Sequence, residues 1–457
     1  MSLKHNLRSC PLMLAFLGVL GCGSSTVKVH NVDGGDSRAA DSQLEDVGED
    51  VLSGSDSMGA SEADAARDTA SMAAEAATDL RLADARLNTD SGAGVDARSA
   101  GVDAMVAIDG GTVSAVEVTA TSPMTTARWY HTATLLPSGK VLVVGGRERG
   151  DEALATAELF DPTTATFAAT GSMAVPRTDH AAIALPSGKV LVAGGRSGAM
   201  TAALSYATAE IYDPTTETFT MAGPMTAARS YLALSLLPDG RVFVVGGYDF
   251  TQLKSAEIFD PGTGSFTATG SMAFARAGHT ATTTMGGSVL VAGGYDGSQY
   301  LANAELFDPA TGTFASAIAM TTDSRTAHTA TVLSTGSILL IGGFNHDALF
   351  SSELWDPSSG LFRATANLAE ARTSHAATLL EDGRVLVTGG FGRNSQPSLA
   401  SVEIYDPATS AYSASAPMLS VRGEHTATLL ADGRVLICGG TAGTSGVTDS
   451  GELYGLY

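Results

Sequence analysis

Double glycines that close an apolar run recur at 145-146, 194-195, 246-247, 293-294, 342-343, 389-390 and 439-440, at spacings of 49, 52, 47, 49, 47 and 50 residues. Seven copies at one period restrict the chain to an array whose units bury their faces against their neighbours. Each copy keeps one internal order. A Met-x-x-x-Arg-x-x-His entry (Met124, Arg128, His131) leads through small, β-prone residues into a Pro-Ser-Gly-Lys or Asp-Gly-Arg turn and an apolar strand ending in Gly-Gly. A variable loop follows, then Glu-aliphatic-aromatic-Asp-Pro, as at 158–162, and a short strand opened by Phe167.

These pieces have local physical causes. Gly139, Gly240, Gly383 and Gly433 supply the positive φ that a tight hairpin needs. Asp-Pro at 161-162, 213-214, 260-261, 308-309, 356-357 and 406-407 starts a turn, because proline fixes φ and cannot continue a ladder. Each repeat therefore reads as two hairpins. A strand such as Val141-Leu142-Val143-Val144 is apolar on both faces, which fits a sheet sandwiched between two others. Seven four-stranded modules of this kind predict an all-β, seven-bladed β-propeller.

The repeat resembles the kelch family, which is marked by a period near fifty, a double glycine and a following aromatic. That aromatic is Phe160, Tyr212, Phe259, Phe307, Trp355, Tyr405 and Tyr454. The tryptophan usual in the family's fourth strand is replaced by Phe167, Phe219, Phe266, Phe314, Phe362 and Tyr412. The resemblance spans residues 113–457. The chain stops at Tyr457, after the third strand of the last repeat, whereas residues 116–124 align with the fourth strand Phe167–Met173. An N-terminal strand is thus expected to complete the seventh blade and close the ring.

The first quarter is a different material. Lys4 and Arg8 precede the ten apolar residues 11–20, too short to span a bilayer and typical of a secretion signal over residues 1–21. Val19-Leu20-Gly21-Cys22 resembles the lipobox of bacterial lipoproteins, which implies lipidation of Cys22 and an envelope location, outer membrane by expectation, periplasmic or surface-exposed. Residues 22–112 follow as a linker; from 23 to 112 it carries 18 acidic and 6 basic side chains and no aromatic, too little apolar surface to offset the entropy of ordering. This predicts a disordered acidic stalk that stands the folded part off the membrane. With Cys10 and Cys22 at one end and Cys438 at the other, no disulfide framework is available. A net charge of −22 argues against nucleic acid as a partner.

Two classes of residue compete for function. Arg128, Arg177, Arg229, Arg276, Arg325, Arg372 and Arg422 recur once per repeat, as do Glu158, Glu210, Glu257, Glu305, Glu353, Glu403 and Glu452. Their one-to-one count points to structural ion pairs rather than an anion grip. His131, His180, His279, His328, His375 and His425, with Leu232 in the third repeat, read as buried hydrogen-bonders rather than metal ligands. Sites break symmetry, and the loops after the double glycines do so. They offer Arg147 and Arg149, Tyr248 and Asp249, Tyr295 and Asp296, Asn345, His346 and Asp347, and Arg393 and Asn394 as ligand-binding candidates on one face of the ring.

The leading expectation is a non-enzymatic, monomeric binding module, membrane-bound through its lipid alone, that presents these loops to a protein or polysaccharide partner. No cofactor, metal or catalytic residue is expected. The alternative is a sugar enzyme resembling the kelch sialic acid mutarotases, or a copper oxidase like galactose oxidase, for which Cys438 is the sole available thiol and reads as core filler.

Overall fold

The apolar run before each double glycine is sealed on both sides: every residue of Val141–Val144, Val190–Ala193, Val242–Val245, Val289–Ala292, Ile338–Ile341, Val385–Thr388 and Val435–Cys438 is at most 1% exposed. Only a strand lying inside one sheet and between two others meets that condition. The computed structural model describes residues 104–106, 115–150, 152–198, 204–394, 397–443 and 446–457. The expected signal peptide, Cys22 and nearly all of the expected linker lie outside them.

Among the described residues there is no helix, and the strands form seven radial sheets and two separate two-stranded hairpins. Blade 1 runs through Thr132–Leu135, Val141–Val144, Ala157–Asp161 and Thr166–Ala169, joined antiparallel in that order. Blades 2 to 6 repeat the meander over residues 181–221, 233–268, 280–319, 329–364 and 376–415. In blade 4 the outer strand is split into Thr313–Phe314 and Ile318–Ala319. Blade 7 takes its first three strands from Thr426–Leu429, Val435–Cys438 and Gly451–Leu456.

Its fourth strand is N-terminal. Ala115–Ala120 pairs antiparallel with Gly451–Leu456, from Val116 opposite Leu456 to Ala120 opposite Glu452. The ring is thus closed by a hydrogen-bonded ladder between the two ends of the folded region. A further short strand lies N-terminal to the boundary expected at residue 113. Ala104–Val106 adds a fifth strand, with Met105 opposite Val116. The apolar triplet Ala104-Met105-Val106 at the end of the acidic tract finds an open sheet edge with which to pair, which the composition of the tract as a whole does not reveal.

Seven hydrophobic clusters stand at the seven blade interfaces. Leu142, Val144 and Leu159 of blade 1 meet Val190, Val192 and Tyr212 of blade 2, and equivalent sets join every other pair, including blade 7 to blade 1. Each fully buried Val or Leu contributes about 1.5–3 kcal/mol. Within a blade, the third-strand aromatic packs on the fourth-strand one, as Phe160 on Phe167 at 4.9 Å between centroids.

The double glycines sit where blades touch. Gly145 has φ 62°, and a Cβ there would stand 2.7 Å from the carbonyl oxygen of Arg177 in the next blade and 2.8 Å from the His180 ring. Gly145→Ala is therefore expected to cost roughly 2–4 kcal/mol in strain and overlap, read as a fall in denaturation midpoint. Removal of residues 113–122 should lower the single melting transition of the whole ring, since it strips the closing strand from Gly451–Leu456. An unchanged midpoint would show that the closure carries no stability.

Candidate functional site

The repeated charges are scaffold. All seven Arg–Glu pairs form inside their blades at 2.7–3.1 Å, and every Arg among them is at most 1% exposed. In blade 1 the Arg128 guanidinium also donates to the Gly145 and Thr156 carbonyls, while the other oxygen of Glu158 accepts from the Thr125 amide. The carbonyl of each Arg accepts from the second glycine of the preceding blade, as Gly146 N to Arg177 O at 3.0 Å, and the series closes with Gly440 N to Arg128 O at 2.8 Å.

The repeated histidines bridge blades. His180 Nε2 lies 3.0 Å from Thr132 Oγ1 of blade 1, and His328, His375 and His131 make the same contact with Thr280, Thr329 and Thr426. His425 instead meets Thr388 at 2.8 Å. His279 faces blade 3, where Ala233 replaces the threonine, and neither of its ring nitrogens is bonded. Burial, with the neighbouring arginines adding to it, depresses all six; His180, His279 and His425 fall to about 3.

The loops proposed as the site mostly hold one another. Asp296 caps its own turn, accepting from Ser298 N at 2.7 Å and Gln299 N at 2.8 Å. Asp347 accepts from Arg393 Nε and Asn394 N, both at 3.0 Å, and so latches the blade 5 loop to the blade 6 loop. His346 is the exposed tip of a two-strand hairpin and packs edge-on against Tyr300 at 5.1 Å. Tyr248 and Asp249 open a similar hairpin, where burial raises the Asp249 carboxyl. Tyr295 stacks on Tyr300 at 5.2 Å, Asn345 pairs with Asp347 across its hairpin, and Arg149 is exposed.

Arg147 behaves differently, and leads to the ring axis. It is 2% exposed, and its guanidinium lies 3.9 Å over Trp129 and 5.0 Å from the Tyr130 ring. Tyr130 precedes the blade histidine. The equivalent residues are Asp179, Tyr231, Gly278, Ala327, Ser374 and Glu424, and all seven have φ between 50° and 66°. This left-handed kink interrupts the entry ladder at the axis before the first strand resumes; six of the seven are not glycine, at a cost of about 1–2 kcal/mol each. Their backbones are joined head to tail. Tyr231 N donates to Asp179 O, Gly278 N to Tyr231 O, Ala327 N to Gly278 O, Ser374 N to Ala327 O, and Glu424 N to Ser374 O, at 3.0–3.2 Å.

The run of backbone links from Asp179 round to Glu424 is regular, while the side chains are not. Blades 7, 1, 2 and 3 contribute Glu424, Tyr130, Asp179 and Tyr231; blades 4, 5 and 6 contribute Gly278, Ala327 and Ser374. Tyr130 and Tyr231 meet edge to face at 6.4 Å although blade 2 lies between their blades, so the contact is made across the axis. Asp179 Oδ2 accepts from Arg196 Nε at 2.6 Å, and Arg196 also donates to the Tyr231 hydroxyl at 2.8 Å. Burial opposes the charge on Arg196, but Asp179 and then Tyr231 outweigh it and hold the guanidinium above its ordinary range.

Glu424 has no such partner. Its side chain is nine-tenths buried, and neither carboxyl oxygen completes a hydrogen bond; the Tyr130 hydroxyl and Asp179 Oδ1 are likewise unbonded. Burial drives the Glu424 carboxyl up to about 8, with Asp179 adding to the push, against the pull of Tyr130 and Arg147. Burial also raises Tyr130 and Tyr231 well above 10. At neutral pH this half-ring is an acid, a salt-bridged carboxylate and two phenols around one point, with small residues opposite.

Sequence reasoning found Arg147 but passed over Trp129, Tyr130, Asp179, Arg196, Tyr231 and Glu424. The signal was present: within the Arg-x-x-His motif, the residue before His changes in chemistry around the ring, as a site must. That position lies inside the repeat, and not on the long loops where the candidates were expected.

Kelch motifs match residues 177–226, 231–273, 276–317 and 372–419, in four stretches of the ring. Among curated proteins the sequence has no match. By structure the chain is similar to a fungal alcohol oxidase of the AA5 family in complex with copper, at 17% identity and TM-score 0.58, over 74% of this chain and 75% of that one. It is also similar to YjhT, at 12% identity and TM-score 0.52, over 65% of this chain and 99% of that one. At these identities the likeness establishes the propeller fold. Among the described residues no three His, Cys, Asp or Glu side chains converge, and Cys438 is buried against Thr426 in blade 7.

The six depressed histidines fix the acid response. The native ring holds them neutral, so their contribution is complete above pH 6.5 and is lost as pH falls from there toward 3. Unfolding near pH 5 should take up about six protons from these sites, giving a melting temperature that falls from pH 7 to pH 5. Replacement of His279, which has no bonding partner, should weaken that dependence by about one proton.

Proposed function

We propose that the protein is an envelope-anchored binding module, tethered by lipid on Cys22 and held off the membrane by its acidic linker. Its double-glycine face takes a polar partner, a carbohydrate or a protein segment, at the mouth of the ring. The observation that carries this reading is the broken symmetry at the axis. Seven blades repeat the same backbone, ion pair and left-handed kink, yet only one half of the ring carries ionisable and aromatic groups. Two of those groups, Asp179 and Glu424, hold unpartnered oxygens in buried side chains. Such atoms carry a desolvation cost of about 1–3 kcal/mol each that a ligand would relieve. The folded region has 30 acidic and 18 basic residues, which favours encounter with a cationic rather than an anionic partner.

One observation favours an enzymatic reading of the same site. Glu424 is held as an acid at neutral pH while Asp179, across Tyr130, is salt-bridged to Arg196. A carboxyl group that keeps its proton at neutral pH is what acid catalysis on a sugar requires. This is the mutarotase-like alternative.

Thermal melting of the full chain against sugars, sialic acids and peptides tests the binding reading, since a ligand held by the native state raises the midpoint by mass action. A shift of several degrees that disappears in Asp179→Asn is expected. If every shift survives that substitution, or none occurs and crosslinking on intact cells captures no partner on this face, the reading is wrong. Accelerated anomer interconversion in the presence of the protein, lost in Glu424→Gln, would establish the enzymatic alternative.

A further inference from the structure

We infer that the ring mouth binds the protonated amino group of a small ligand, seated between Asp179, Glu424 and the Tyr130 hydroxyl. The inference rests on the axial site described above and names the chemical class that it takes. Asp179 Oδ1, both oxygens of Glu424 and the Tyr130 hydroxyl lie buried without hydrogen bonds. Three of these four are carboxyl oxygens, so the cluster is rich in acceptors. A primary ammonium supplies three donors from a single point, the complement of three acceptors around one space.

Charge leads to the same class. The groups facing Glu424 are Tyr130 and Arg147 of blade 1 and Asp179 of blade 2, with Arg196 and Tyr231 behind Asp179. On the blade 6 side stands the uncharged Ser374, and the ring of His425 is turned away to Thr388. Asp179 and Arg196 offset one another, and Glu424 in its protonated form adds no charge. An entering ammonium displaces the Glu424 proton to solvent, so one cation replaces another and the total charge is unchanged. Anionic ligands would meet the open oxygens of Asp179 and Glu424, and a neutral hydroxyl would leave the acid in place with fewer donors. Gly278 and Ala327 complete the ring with little or no side chain.

Proton displacement makes the test specific. Full-length protein is titrated calorimetrically with 6-amino-6-deoxy-D-glucose, D-glucose and D-glucuronate, which differ only at one carbon. Putrescine, 1,4-butanediol and succinate form a second matched series. Measurements run from pH 6.5 to 8 in two buffers of different ionisation heat. The amines should bind best in each series, release close to one proton at pH 7, and tighten about tenfold over this range as Glu424 ionises. Glu424→Gln should abolish both the proton release and the pH dependence. Should that variant fail to fold, the buffer dependence of the unmodified protein decides alone.

Glucose or butanediol binding as tightly as its amine, with no proton release, would overturn the ammonium assignment while leaving the carbohydrate reading intact. Preference for glucuronate or succinate, weakening as pH rises, would overturn it in favour of an anion. Absence of binding in both series would also overturn it, and crosslinking on cells then separately decides whether the face is a macromolecular interface.

Discussion

Every blade hangs on one buried arginine. Its guanidinium holds the third-strand Glu and the carbonyls that flank the second and third strands, and its own carbonyl accepts from the second glycine of the preceding blade. The side chain therefore fastens one sheet while its backbone fastens that sheet to the next. Loss of one member of such a pair costs about 3–5 kcal/mol, because the other charge is stranded without water. Here the arrangement does more than stabilise. It fixes the height and direction of the chain as it arrives at the axis, two residues before the left-handed kink.

That kink converts a scaffold into a site. Seven residues share the kink, and from Tyr231 round to Glu424 each donates its amide to the carbonyl of the one before. The kink itself does not depend on their side chains, so the ring tolerates Gly278, Ala327, Ser374, Tyr130 or Glu424 at equivalent places. The backbone supplies identical positions, and chemistry is then distributed among them unequally. Glu424 keeps its proton for a physical reason that follows directly: a rigid frame carries it inward, and burial disfavours its anion more than the Tyr130 hydroxyl and Arg147 favour it.

The loops around the face serve another purpose. Asp347 latches two of them together, Asp296 closes its own turn, and Tyr295 and His346 pack on Tyr300. Polar residues of irregular loops look like ligand groups in a sequence because turn caps and ligand contacts draw on the same residue types. Arg147 is the exception, since it leaves the loop at its first residue and is drawn inward over Trp129.

What the sequence alone determined is the repeated part. Period, double glycines, Asp-Pro turns and the matched Arg and Glu specify seven four-stranded blades, because hairpin turns, strand periodicity and ion-pair stoichiometry are local or repeat themselves at a fixed offset. The origin of the missing fourth strand was legible for the same reason, by alignment with its copies. Only the tertiary structure decided which residues face each other across the axis. Tyr130 and Tyr231 are a hundred residues and two blades apart, and Glu424 reaches the same point from the far end of the chain. No local rule relates them, since their proximity comes from closing the ring, and closure depends on all seven interfaces and on the strand Ala115–Ala120 that joins the last blade to the first.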